Sequence, residues 1–85
     1  MVAKFCLRGD IVAGKERVDG VYISFDPKDA RRNVHMCITT QPPPEGYVAI
    51  QTRGRDPITQ VGERLAKSQG KELCPDCLEG PYRIY

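Results

Sequence analysis

Four cysteines, Cys6, Cys37, Cys74 and Cys77, and a single histidine, His35, are the side chains whose types and spacing could do chemistry in this sequence. Cys74 and Cys77 belong to Cys74-Pro75-Asp76-Cys77, with Gly80 soon after. Such a turn can bring two thiolates onto one cation, because Pro75 preorganises the backbone and nearby amides can hydrogen-bond the sulfurs. A tetrahedral zinc takes four ligands, with Zn–S about 2.3 Å, so two more must come from elsewhere. In "VHMCITT" side chains alternate along a strand, which puts His35 and Cys37 on one face and Val34, Met36 and Ile38 on the other. On the first strand Cys6 shares a face with Lys4 and Arg8, opposite Ala3, Phe5 and Leu7. Free structural cysteines prefer burial, so two thiols that avoid the apolar stripe point to ligation. Two ligand sets follow. One is Cys6, Cys37, Cys74 and Cys77, preferred because it uses every thiol. The other has His35 in place of Cys6. The expected cofactor is structural zinc, one that stabilises a core too thin to stand alone.

Other uses of the cysteines fit less well. Cys6 and Cys37 could be ordinary half-buried residues. A redox pair wants its first cysteine at a helix N-terminus after a strand. Here the pair follows a helix, and the short tail beyond Cys77, with Gly80 and Pro81, leaves no room for a redox helix. Zinc deaminases combine H-x-E with P-C-x-x-C, whereas this chain has "HMC" and places Leu73 before Cys74. "GKERVDG" lacks the spacing of a phosphate loop, and one histidine gives no Ser–His–Asp arrangement. The expectation is a protein that is not an enzyme and has no small-molecule substrate. "CPDC" resembles the metal knuckle of zinc-ribbon and rubredoxin-like modules over the knuckle alone. The resemblance implies a metal-binding turn and does not choose among recruitment modules, nucleic-acid binders and inhibitors.

The elements that must position these residues read as an α+β domain spanning residues 1–85. It has a small antiparallel sheet of about four strands, one C-terminal helix, and the Cys74–Cys77 turn after it. "KFCLRGDIVA", "VYISF", "VHMCITT" and "YVAIQT" are the strands. Val21, Ile23 and Phe25 alternate cleanly. Asp26 and Pro27 allow one helical turn in "DPKDARRN", and "QPPPEG" is a loop, since proline cannot donate to a sheet ladder. "DPITQVGERLAKSQG" is the convincing helix: Asp56 as N-cap, Pro57 in the first turn, Ile58, Val61, Leu65 and Ala66 as the apolar stripe, Gly70 as the stop. Gly62 weakens it by roughly 1 kcal/mol relative to alanine.

Composition limits the partners. Charged residues make up 28%, with a net charge of +2, so charge alone does not announce nucleic acid. No apolar run approaches the ~18 residues a membrane span needs. The N-terminus does not have the pattern of a secretory signal, and the expected location is cytoplasmic. Positive charge gathers at Lys28, Arg31 and Arg32 and again at Arg53 and Arg55. If the strands bring these groups together they suit phosphate, with Tyr47 as a stacking surface. The expected function is a regulatory module acting on nucleic acid or a nucleic-acid-handling complex. The alternative is a small protein-binding inhibitor or adaptor without nucleic-acid contact. A thiol redox protein is the minor alternative.

Overall fold

The computed structural model describes residues 11–85. The expected first strand, including Cys6, lies mostly outside the described residues. Its end remains as β1 (Ile11–Val12), paired antiparallel with β7 (Tyr82–Arg83). The central strand is β2 (Asp19–Phe25), flanked antiparallel by β4 (Cys37–Thr39) and β5 (Val48–Arg53). A parallel pair joins β3 (Asn33–Val34) to β6 (Glu72–Leu73). Two helices, α1 (Ile58–Ser68) and α2 (Pro75–Glu79), complete an α+β fold. The expected sheet of about four strands is thus divided into three small sheets, the largest three-stranded. No helix among the described residues is long and apolar enough to cross a membrane.

Val21, Ile23 and Phe25 of β2 are buried, as the alternation suggests, and Ser24 on the opposite face is buried too. Near its start the ladder slips between Asp19 and Tyr22, with Gly20 at φ +85°. Thr52 is buried beside this irregularity. Its hydroxyl accepts from the Val21 N–H at 3.3 Å and donates to the Val18 carbonyl. A side chain thereby satisfies backbone groups next to an interrupted ladder.

Helix α1 buries Ile58, Val61, Leu65 and Ala66, the expected stripe. Asp56 does not cap it. The Ile58 N–H donates to the Glu16 carbonyl at 3.1 Å, and the Thr59 N–H and hydroxyl both donate to the Gly14 carbonyl. The preceding loop thus fills the role given to the cap, and Asp56 instead accepts from Arg64 at 2.5 Å. At the other end Gly70 takes φ +72°, with Gly70 N–H to Lys67 and Lys71 N–H to Ala66, the paired bonds of a Schellman stop. Gly62 has a packing reason. A Cβ there would collide with the Met36 sulfur, so the glycine lets Met36 press against the helix.

The "DPKDARRN" segment forms one hydrogen-bonded turn, with the Asp29 N–H donating to the Asp26 carbonyl at 3.2 Å, and no helix. The Asp26 carboxylate accepts from the Lys28 N–H, and the Asp29 carboxylate accepts from the Arg31 N–H. Such local side-chain bonds offer the backbone an alternative to helix. The last residues run along the outer edge of β4: Ile84 bridges Ile38, Tyr85 N–H donates to the Ile38 carbonyl, and Thr40 N–H donates to the Tyr85 carbonyl.

Candidate metal centre

Cys74 is placed by β6. The parallel pairing sets Leu73 beside Val34, and the Cys74 N–H donates to the Val34 carbonyl at 2.9 Å. Cys74 therefore lies next to the point where the chain leaves β3 at His35. Pro75 then opens α2, and the Cys77 N–H closes on the Cys74 carbonyl at 2.9 Å. That single turn swings Cys77 back toward His35, with Cys77 Sγ 3.6 Å from His35 Nδ1. The ligand atoms of His35, Cys74 and Cys77 all lie within 4.8 Å of one another, and the group could hold a metal ion. Cys74 is buried, Cys77 half-buried and His35 exposed.

The electrostatics of the pair follow from this placement. Burial pushes the Cys77 thiol up, a backbone hydrogen bond from Met36 pulls it down, and the neighbouring Cys74 and Asp76 push it up again. Without a cation, negative charge at this sulfur is therefore disfavoured. Tyr82 completes the surroundings. It is 8% exposed, and its hydroxyl has no hydrogen-bond partner among the described residues. Its pKa is pushed up to about 12, first by burial and then by the charges of Cys77 and Cys74. Nothing in the sequence pattern singled out Tyr82, whose position depends on where the chain returns after the knuckle.

Cys37 is not in the group. The chain changes partners at His35–Met36: β3 pairs with β6, whereas β4 pairs with β2 and sets Cys37 opposite Ser24. One continuous strand, which would have kept His35 and Cys37 side by side, does not form. Residue 37 is exposed overall. Its thiol lines a cavity of about 370 Å³ with Ser24, the prolines 42–44, Tyr47 and Tyr85, and this partial burial pushes the thiol pKa up. The expectation that a redox helix has no room also needs correction, because α2 begins directly after Cys74 and follows β6.

The basic residues separate into two groups. Arg31 pairs with Asp29 and Arg32 with Glu72, both at 3.5 Å, and Lys28 is exposed in the same connector. This connector follows Phe25, at the far end of β2. Arg53 lies across from Asp19, at its beginning. The seven residues of β2 separate the groups by about 20 Å at a rise of about 3.3 Å per residue. Among the described residues no ion pair engages Arg53 or Arg55, which line a second cavity with Arg64. Tyr47 is on the proline-loop cavity, and its neighbour Val48 pairs with Phe25 at the end of β2 where the first group's connector begins.

Compared with protein-family models, with curated proteins and with solved structures, the chain matches none.

Proposed function

We propose that this chain is a small, non-enzymatic binding module whose C-terminal knuckle is held by a structural zinc. The convergence of His35, Cys74 and Cys77 within 4.8 Å carries the reading. A tetrahedral zinc, with Zn–S about 2.3 Å and Zn–N about 2.0–2.1 Å, sets its ligand atoms roughly 3.5–3.8 Å apart. The 3.6 Å between Cys77 Sγ and His35 Nδ1 matches that edge. Thiolate and imidazole are also the donors zinc favours over the oxygen-seeking calcium and magnesium. The fourth corner separates a closed structural site from an open one.

The working surface in this reading is the side of the molecule carrying Arg53 and Arg55, whose charge no described carboxylate pairs. A nucleic-acid footprint draws less support, because Arg31 and Arg32 are paired and about 20 Å away along β2. A protein partner is therefore preferred.

Elemental analysis of protein purified without added zinc, joined to thiol counting, tests the metal. We expect one zinc per chain, Cys74 and Cys77 protected from alkylation until chelator is added, and Cys37 labelled throughout. Cys6→Ser and Cys37→Ser report whether a further thiol of the chain fills the fourth corner. A folded protein free of metal, with Cys74 and Cys77 open to alkylation, refutes the reading.

A further inference from the structure

In the order β4-β2-β5 the outer side of β4 is covered by Ile84 and Tyr85, while β5 pairs, among the described residues, with β2 alone. Alternate residues of an edge strand turn their N–H and C=O groups outward, ready to pair with another chain. A cavity of about 550 Å³ runs beside β5 and is lined by all of residues 49–53. Neighbouring side chains in a strand point to opposite faces, so a cavity touching five in a row borders the strand's edge. Val61 and Arg64 of α1 form the far wall, and Arg53 and Arg55 stand at one end. Ile50, 37% exposed, lies in the middle. Asp56 is also on the lining, but Arg64 already occupies its carboxylate. Asp19 faces Arg53 across the ladder without forming an ion pair.

We propose that the groove between β5 and α1 is a docking site for an extended acidic segment of a partner protein. The segment adds to β5 as a further strand, with an apolar side chain at Ile50 and carboxylates at Arg53 and Arg55. Main-chain pairing supplies affinity, and the side chains supply specificity. The proposal deepens the binding-module reading and rests on it. An exposed isoleucine beside an open main-chain edge suits a peptide better than a phosphate backbone, which would find on the lining of this groove Arg53 and Arg55 alone without a described carboxylate partner. A second copy of the chain would bring more arginines to the groove instead of carboxylates.

The probe is an acetylated, amidated hexapeptide with two glutamates followed by alternating valine and threonine, together with its reversed sequence. Each is titrated calorimetrically into the full chain at low and high salt. One orientation should bind saturably and weaken with salt. Replacing its glutamates with glutamine, or making Arg53→Ala with Arg55→Ala in the protein, should each weaken binding by about fivefold or more. N-methylating one alternate set of peptide amides should weaken it by about tenfold, and methylating the other set should leave it unchanged, since only one set can face β5. The docking proposal is overturned if neither peptide binds, if both methylated sets bind equally, or if the arginine substitutions have no effect. It is also overturned if sedimentation shows a dimer that excludes the peptide. Arginine-dependent binding of oligothymidylate in place of the peptide would overturn strand addition yet leave the binding-module reading standing. Loss of that reading is registered separately, by the absence of zinc and of any arginine-dependent ligand.

Discussion

Around β2 and α1 the chain buries Ile23, Ile38 and Ile58 almost completely, whereas α2 buries no residue at all. The first region is a sheet and a helix of eleven residues that enclose apolar side chains between them. The second hangs on two-residue strands, β3 with β6 and β1 with β7, and on a five-residue helix. Its strands put Val12, Val34, Leu73 and Tyr82 into the core, with Cys74 buried beside them. A helix this short has no stability of its own in water. The difference teaches where an ion could add stability: the core is held by burial, and the knuckle gathers His35, Cys74 and Cys77, a group that could hold a metal ion.

The contrast can be broken at either side. Leu65→Ala strikes the core. It should cost about 2–4 kcal/mol in denaturant unfolding, from lost burial and the cavity left behind, and that loss should appear with or without zinc. A change below about 0.5 kcal/mol would place Leu65 at the surface. Chelation strikes the knuckle. Hydrogen exchange in residues 72–79 should accelerate by about a hundredfold or more, while amides of β2 and β5 keep their protection. Equal loss in both regions would show that one cooperative unit, and not two, carries the fold. Tyr82→Phe probes the boundary between them and should have the smallest effect. Removing a buried hydroxyl that lacks a partner should raise stability by about 1 kcal/mol. A loss of that size would mean that the hydroxyl is satisfied once the ion is bound.

The two regions also differ in how far they could be read from the sequence. The stripe of Ile58, Val61, Leu65 and Ala66, the Gly70 stop and the alternation of Val21, Ile23 and Phe25 are local patterns, and the structure keeps them. The pairing of Cys74 with Cys77 was legible for the same reason. What failed depended on distant partners. Asp56 looks like a cap until the carbonyls of Gly14 and Glu16 arrive at the helix from another segment. His35 and Cys37 look like neighbours until the chain passes from β6 to β2 between them. Helix α2 is shorter than the window over which helical periodicity can be recognised. The two arginine groups look equivalent in sequence. Only the fold shows Arg31 and Arg32 paired and Arg53 and Arg55 without a described ion pair.

The central claim is that His35, Cys74 and Cys77 together hold one ion. Native mass spectrometry with elemental analysis tests it on the unmodified protein and on His35→Ala, Cys74→Ser, Cys77→Ser and Cys37→Ser. The account predicts one zinc per chain in the unmodified protein and in Cys37→Ser, with zinc lost or weakened by about tenfold or more in the other three. Full zinc retention in His35→Ala, together with its loss in Cys37→Ser, would contradict it.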